Sequence, residues 1–179
     1  MTREEELARV RVGPLERLDG PITLVEYDPS WPALYEREAA RIRAALGAGV
    51  LALEHVGSTS VPGLAAKPIV DVLLVVADSA DEAAYVPALR AAGYALRVRE
   101  PDWHEHRMLK GPDTEVHLHV FGRGSAEIER MLRFRDRLRS DDLARGRYAA
   151  AKRSLAAREW AYMQDYADAK SDVVEGILR

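Results

Sequence analysis

The sequence predicts an α/β (α+β) domain in which a β-sheet body is followed by a helical tail. Between residues 22 and 121, short apolar or alternating runs of strand composition are separated by turn residues and helical patterns. From residue 125 onward, apolar residues recur at helical spacing. The length of 179 residues fits one domain, which we divide into an N-terminal arm (1–20), an α/β body (21–122) and a helical tail (123–179).

The strands of the body are assigned from β-branched and apolar composition between turn signals. They are predicted at residues 22–27, 51–56, 68–76, 94–99, 107–110 and 115–121. The strand at 68–76 is almost continuously apolar, which is typical of a strand covered on both faces.

The helices are assigned from their caps and their apolar spacing. One helix is predicted to begin after Ser30 as N-cap and to end at the glycines between 47 and 49. Another is predicted at 81–92, with Pro87 in its first turn or at a kink. The tail predicts three helices, at 125–139, 141–156 and 158–178, and the arm predicts a short helix or a loose segment.

Composition excludes several classes of protein. With 47% hydrophobic and 31% charged residues, the chain is typical of a globular protein. No apolar run approaches the roughly 20 residues that span a bilayer, so we expect no membrane partner and a cytoplasmic location. Because the chain has no cysteine, disulfides, thiolate zinc sites and cysteine nucleophiles are excluded, and any metal must be bound by His, carboxylate or carbonyl groups.

Charge is unevenly distributed along the chain. The formal net charge of −3 gives no general case for a nucleic-acid partner. Residues 123–158 nevertheless carry 11 Lys/Arg against 5 Asp/Glu, and Arg135 lies in the densest part of this stretch. Such arginines form a solvated helix face, pair with nearby acids, or bind an anionic ligand or partner.

Asp71 is a single carboxylate inside the apolar strand at 68–76. Strand alternation places it on the same face as Leu73 and Val75. A buried carboxylate is costly unless a cation, a metal or backbone donors meet it. We therefore expect either a metal or anion site at Asp71, or an Asp that accepts N–H bonds from the Gly57-Ser58 turn or pairs with Lys67.

The segment 115–121 alternates strictly, so His117 and His119 share one face of its strand. Two imidazoles at this spacing can ligate one metal, serve as general base and partner, or contact a phosphate. His104 and His106 repeat the spacing in a segment with weaker strand character, and we expect them in a surface loop or at a sheet edge.

The turn between the second and third predicted strands is rich in glycine and hydroxyl groups. Gly57 permits close backbone approach, and the hydroxyls and amides of Ser58, Thr59 and Ser60 could hold an anion. Lys67 would add a positive charge. The pattern is not a P-loop, because no Gly-Lys-Ser/Thr opens a helix after it.

The run from His55 to Asp71, HVGSTSVPGLAAKPIVD, closely resembles the signature of the GrpB-like family within the nucleotidyltransferase-like superfamily. Further matches are VEYDPSW at 25–31, HLHV at 117–120 and FRDRLR at 134–139. The resemblance covers nearly the whole chain and implies a mixed sheet of the nucleotidyltransferase type, flanked by helices and followed by a C-terminal helical extension. Related domains are fused to some dephospho-CoA kinases.

The resemblance also implies roles for particular residues. Active nucleotidyltransferases have a Gly-Ser turn, a strand with two carboxylates at i and i+2, and a third carboxylate on a neighbouring strand, which together hold two divalent metals. Here the first acid is Asp71, Leu73 occupies the second position, and the third falls on the strand of His117 and His119. A lost carboxylate removes a ligand suited to Mg²⁺, whereas imidazole suits transition metals.

Three functions follow as hypotheses. The first is a divergent nucleotidyl- or phosphoryl-transfer enzyme for a small-molecule or protein acceptor. In that enzyme Asp71, His117 and His119 are catalytic and hold a divalent metal, Mg²⁺, Mn²⁺ or a transition metal. The phosphates are bound by Gly57, Ser58, Thr59, Ser60, Lys67 and Arg135. The second is a non-catalytic accessory module that binds a nucleotide, a coenzyme A precursor or a protein partner, and the third is a metal-dependent hydrolase.

Overall fold

A computed structural model describes residues 1–113 and 115–179. In these residues the strands are β1 (Ala52–Val56), β2 (Val70–Val76), β3 (Ala95–Glu100), β4 (His106–Lys110) and β5 (Val116–Gly122). The helices are α1 (Arg3–Val10), α2 (Trp31–Leu46), α3 (Val86–Ala91), α4 (Ala126–Ser140), α5 (Asp142–Ala156), α6 (Met163–Ala169) and α7 (Ser171–Leu178). Short 3₁₀ turns lie at Gly47–Gly49, Ser58–Ser60 and Glu82–Ala84. The helix predicted at 81–92 is thus a 3₁₀ turn followed by α3, with Pro87 in the first turn of α3.

The strands form one mixed sheet in the order β1-β2-β5-β4-β3. Only β2 and β5 pair in parallel, and the other neighbours are antiparallel. The predicted mixed sheet with flanking helices and a C-terminal helical extension is therefore confirmed. Among the described residues, none of the helices has the length and apolar composition that crossing a membrane requires.

The two faces of β2 are buried against different helices. Val70, Val72, Leu74 and Val76 belong to the main core beneath α2 and α3. Leu73 and Val75 face the other way and pack with Phe121 against the apolar side of α4. Because side chains alternate along a strand, Asp71 lies on this second face, which the tail covers.

The strand predicted at 22–27 is wrong. Val25 alone pairs with Ala66, through two backbone hydrogen bonds of 2.8 and 2.9 Å. On one side of this pair, the next hydrogen-bonded position of an antiparallel ladder would fall on Pro68, which has no N–H to donate. On the other side it would fall on Leu64, whose N–H donates to the carbonyl of Val61 instead. The ladder therefore stops after one pair.

The single helix predicted at 158–178 is also wrong, because the chain forms α6 and α7 with a turn at Lys170. Tyr166 of α6 packs with Ile22 and Ala156, whereas Ile177 of α7 belongs to a separate cluster on α4 and α5. The turn lets the two short helices reach both clusters.

The predicted side-chain cap at Ser30 is absent. Ser30 has helical backbone angles and makes no side-chain cap bond to α2. Instead, its N–H donates to the carboxylate of Asp28 at 2.8 Å. The carboxylate of Asp28 thus stabilises the turn before α2 and is not part of the candidate site.

Candidate metal and phosphate site

The Gly57-Ser58 turn lies directly against Asp71. Gly57 has φ +71° and ψ −175°, a conformation that is essentially restricted to glycine. A Cβ added there would lie 2.4 Å from Oδ2 of Asp71. The glycine therefore allows the turn and the carboxylate to approach closely.

The parallel pairing of β2 and β5 brings two histidines to Asp71. Its register places Asp71 beside His117 and Leu73 beside His119. Nε2 of His119 lies 3.0 Å from Oδ1 of Asp71, and Nδ1 of His117 lies 3.9 Å from the same oxygen. All three ligand atoms lie within 4.8 Å of one another. The predicted group of three is thus brought together.

The electrostatics of these groups favour their metal-binding forms. Burial raises the pKa of Asp71, but its close contact with His119 and the positive potential from the neighbouring histidines and Lys67 outweigh this effect, so its pKa lies below the usual value. Burial lowers the pKa of His117 to about 4. At neutral pH the site therefore offers a carboxylate and an uncharged imidazole, the forms that metals bind. Two nitrogens and one carboxylate oxygen are a donor set suited to a first-row transition metal.

Three of the four lysines of the chain line the same cavity, which has a volume of about 330 Å³. Lys152 is 2% exposed, and its Nζ donates to Oγ of Ser58 at 2.8 Å and to the carbonyl of Ala65 at 2.5 Å. The ammonium groups of Lys67 and Lys170 both lie over the ring of Tyr166, at 5.3 and 4.6 Å. In the described part of the chain, none of the three ammonium groups forms an ion pair with a carboxylate.

Within the described residues, these lysines concentrate positive charge that no contacting carboxylate neutralises. Burial lowers the pKa of Lys152 to about 7 and that of Lys170 to about 8; repulsion from Lys170 and Lys67 adds to the first shift, and repulsion from Lys67 adds to the second. Burial also lowers the pKa of Lys67, although Asp71 partly opposes it. A cavity that concentrates positive charge in this way can bind an anion by restoring the charged form of its lysines.

The remaining wall of the cavity is apolar. It includes three of the four methionines of the chain, which come from β4, α4 and α6 (Met108, Met131 and Met163). Methionine adapts its shape to irregular ligands. The cavity therefore combines a metal-ligand group, a cationic group and an adaptable apolar wall.

Some predicted phosphate-binding residues lie elsewhere. Thr59 is buried and bonds to Nε2 of His55 and to the carbonyl of Ile69, at 3.0 and 3.1 Å. Ser60 donates to the carbonyl of Gly57 at 2.5 Å. These hydroxyls stabilise the turn. Of the predicted phosphate-binding residues, Gly57, Ser58 and Lys67 line the cavity.

Arg135 also lies outside the cavity with Asp71. It lines a separate cleft of about 630 Å³ beside β1, where it bonds to the carboxylate of Glu54 at 2.7 Å and to that of Asp136 at 2.8 Å. Glu54 is held there by this ion pair, and Glu26 is exposed near Arg153. Neither Glu54 nor Glu26 takes the place of the second metal-binding acid, whose position in the nucleotidyltransferase pattern is occupied by Leu73.

The two lysines of the tail that line the cavity, Lys152 and Lys170, were not predicted from the sequence. Ala144, Tyr148, Lys152 and Ala156 are all buried at a spacing of four, so Lys152 lies in the apolar stripe of α5. The spacing of Lys152 within this apolar stripe is the sequence pattern that could have predicted its burial. Lys170 had no signal, because its position depends on the turn between α6 and α7.

His106 is buried, and its predicted surface placement is wrong. It is 6% exposed on β4, where Nε2 lies 3.0 Å from Nδ1 of His119. Its neighbour His104 is exposed and has φ 54°. The alternation of β4 was hidden by the short length of the strand, which begins at His106 itself.

Comparisons with known proteins identify the family of the chain. A family model described as GrpB protein matches residues 21–179, so the chain belongs to the GrpB family. It is 60% identical over 176 residues to UPF0157 protein BH1888 of Halalkalibacterium halodurans, covering 98% of this chain and 90% of that protein. It is 29% identical to the crystal structure of conserved protein GrpB from Enterococcus faecalis, with a TM-score of 0.70, covering 88% of this chain and 100% of that one.

The predicted relation to dephospho-CoA kinases is also confirmed. The chain is 34% identical over 166 residues to the dephospho-CoA kinase of Mycolicibacterium paratuberculosis. The match covers 77% of this chain and 40% of that protein.

Replacing Gly57 with alanine tests the contact between the turn and Asp71. Gly57→Ala should displace the carboxylate and abolish Mn²⁺ binding, measured by calorimetry. Gly63→Ala is the matched control, because Gly63 also has positive φ (+80°) but open space around it. The control should lose about 1–2 kcal/mol of unfolding free energy, measured by urea denaturation, and still bind Mn²⁺. Equal Mn²⁺ affinity in the two variants would refute the contact.

Proposed function

We propose that this protein is a divergent, metal-dependent nucleotidyl- or phosphoryl-transfer enzyme. One observation carries the proposal: a single cavity at the Gly57-Ser58 turn is lined by the Asp71-His117-His119 group and by three lysines that form no ion pair with a carboxylate in the part of the chain that the structure describes. A metal-ligand group beside a concentrated positive charge suits a polyphosphate, because a phosphate chain can contact a cation and several ammonium groups together.

The lysines support a ligand with more than one negative charge. Lys152 is almost fully buried and its hydrogen bonds go to neutral oxygens, so no carboxylate of the described residues contacts its ammonium group. Asp71 is the one carboxylate of the metal group. A triphosphate would supply the missing negative charge and could take hydrogen bonds from Ser58, Lys67 and Lys170.

The donor set fits a divalent metal, because the ligand atoms of two imidazoles and one carboxylate lie within 4.8 Å of one another. When bound there, such an ion would polarise a phosphoryl oxygen and offset charge that develops in the transition state. Asp71 and the histidines would fix its place relative to the lysines. The lysines would in turn orient the phosphate chain along the cavity.

The transfer itself balances as a displacement at phosphorus. The oxygen of an acceptor hydroxyl forms a bond to the α- or the γ-phosphorus of a nucleoside triphosphate. The bond from that phosphorus to the bridging oxygen breaks, and diphosphate or nucleoside diphosphate leaves with the bonding electrons. An uncharged imidazole that holds the metal through one nitrogen has no second lone pair, so the proton of the acceptor passes to solvent rather than to His117 or His119.

A second candidate function is a non-catalytic nucleotide-binding accessory module. Leu73 favours it, because this fully buried side chain packs with Val56 and Phe121 where a second metal-binding acid would be needed for two-metal catalysis. Incubation with ATP labelled on the α- or the γ-phosphorus, in the presence of candidate acceptors, separates the two functions. Label in an acceptor supports transfer and identifies the group, whereas ATP binding without any transferred label supports the module.

Removal of one lysine should weaken triphosphate binding. Lys170→Gln is the best variant, because its side chain lies over Tyr166 and its loss leaves the hydrogen bonds of Ser58 intact. We expect ATP with Mn²⁺ to bind about 10- to 100-fold more weakly by calorimetry, as for a lost charge-assisted hydrogen bond. Arg153→Gln is the control, because it removes the same charge from the exposed side of α5 and should leave the affinity unchanged. The proposal fails if the native protein does not bind ATP, or if Asp71→Ala and Lys170→Gln bind it normally.

Binding should also take up protons. The pKa of Lys152 is about 7 and that of Lys170 about 8, so at pH 8 both are partly or mostly uncharged. A bound polyphosphate favours the charged forms and raises both pKa values, so about one proton enters per ATP, and affinity falls as the pH rises above 8. Calorimetry at pH 8 in Tris and in HEPES measures the uptake from the difference in binding enthalpy. Equal enthalpies after correction for dilution, or proton release, would contradict the role of the lysines.

A further inference from the structure

His106 connects the candidate metal site to a second carboxylate. It lies on β4, between Glu100 of β3 and His119 of β5. Nδ1 of His106 lies 2.5 Å from Oε2 of Glu100, and Nε2 lies 3.0 Å from Nδ1 of His119. With the 3.0 Å contact between His119 and Asp71, these residues form a chain of three hydrogen-bond contacts that starts at Glu100 and ends at Asp71.

This series of three hydrogen-bond contacts has one N–H too few when both imidazoles are uncharged. Each contact needs one N–H, because an ionised carboxylate can only accept. An uncharged imidazole carries a single N–H, so His106 and His119 together supply two for three contacts. One contact must therefore join two lone pairs unless a positive species enters it.

The carboxylate of Glu100 determines which contact lacks the hydrogen. At 2.5 Å, its contact with His106 needs the N–H of Nδ1. Nε2 of His106 is then a lone pair and accepts the N–H on Nδ1 of His119. Nε2 of His119 is then left without a hydrogen. Its lone pair faces Oδ1 of Asp71, and Nδ1 of His117 lies near the same oxygen.

We propose that Asp71, His117 and His119 form a transition-metal site, in which His106 and Glu100 are positioning residues that keep Nε2 of His119 free for the metal. A metal-bound histidine usually donates its other N–H to a partner that fixes its tautomer and its ring orientation. Here that partner is a second histidine, which is itself fixed by a carboxylate. Mg²⁺ prefers oxygen ligands and is disfavoured by this donor set.

The position of His106 is fixed from several sides. Its ring stacks on Phe121 at 4.9 Å and meets the edge of Trp103 at 5.2 Å. The preceding residues, His104 and Glu105, both have positive φ, of 54° and 50°. Such non-glycine conformations persist only where the surroundings impose them. The turn before β4 is thus held in a strained conformation that delivers His106 to His119.

Contacts of Glu105 explain how the strained turn is held. Its carbonyl accepts from Oγ of Ser79 at 2.8 Å, and its carboxylate pairs with Arg107 at 3.1 Å. Arg107 is buried and also pairs with Glu82. None of these groups touches the three proposed metal ligands, so their arrangement serves His106 rather than the metal directly.

This inference rests on the metal site of the proposed function, but it does not depend on transfer chemistry. Its test therefore uses metal ions alone, without nucleotide. Should ATP fail to bind while the metal results hold, only the transfer function is refuted. Should ATP bind while the metal results fail, only this inference is refuted.

The test compares Co²⁺ and Zn²⁺ affinities, by calorimetry and by the visible spectrum of Co²⁺, in four variants. His106→Phe keeps an aromatic ring against Phe121 and Trp103 but removes both nitrogens, and Glu100→Gln removes the obligate acceptor. Both should bind about 10- to 100-fold more weakly with an altered Co²⁺ spectrum. His106→Gln, whose amide oxygen can still accept from His119, should retain part of the affinity. Glu54→Gln, in the separate cleft, should match the native protein.

Nitrogen NMR of the Zn²⁺-loaded protein supplies a readout that loss of stability does not change. We expect the proton of His119 on Nδ1 in the native protein. The inference is overturned if that proton lies on Nε2, if His106→Phe and Glu100→Gln bind Co²⁺ as tightly as Glu54→Gln, or if equimolar Mg²⁺ displaces Co²⁺.

Discussion

The parallel pairing of β2 with β5 is the constraint on which the candidate site depends. Its register sets Asp71 beside His117 and Leu73 beside His119, so the three proposed ligands converge without any contribution from a loop. Both strands are central in the sheet, and their other faces are buried in the main core. A shift of either strand by one residue would turn its polar side chains, Asp71 or the two histidines, into the main core. The packing of the core therefore fixes the geometry of the candidate site.

The tail contributes two lysines to the candidate site at an energetic cost. Lys152 and Lys170 are brought from α5 and the turn after α6 into a cavity that already contains Lys67, and burial disfavours the charged form of all three. A fold selected for stability alone would place an apolar side chain at position 152, among Ala144, Tyr148 and Ala156. Retention of uncompensated charge in a cavity is typical of a binding site that an anion completes. The same helices pack Ile177 and Leu138 into an ordinary apolar cluster, so the cost is confined to the cavity.

Strand alternation was sufficient to predict that His117 and His119 share one face of their strand and that Asp71 shares a face with Leu73, because period-two patterns fix faces in a well-covered sheet. The convergence of the three residues was instead implied by the family resemblance. The role of Gly57 was also predictable from the turn sequence. The pairing of β2 with β5, however, is non-local. Its register, which places Leu73 beside His119, could not be derived from the pattern of either strand alone. Lys170 and His106 were not predictable, because the first depends on a turn between two short helices and the second on the order of β4 and β5. Arg135 was misplaced because helical spacing alone does not show which side of β1 the helix α4 crosses.

The central claim is that one cavity holds both a metal and a polyphosphate. A crystal grown with Mn²⁺ and a non-hydrolysable ATP analogue, with data collected to give an anomalous-difference map, tests it most directly. The account predicts a manganese peak bonded to Asp71, His117 and His119, with phosphate oxygens in hydrogen-bond contact with Lys152 and Lys170. A phosphate chain bound instead in the cleft of Arg135, with no manganese at Asp71, would contradict it.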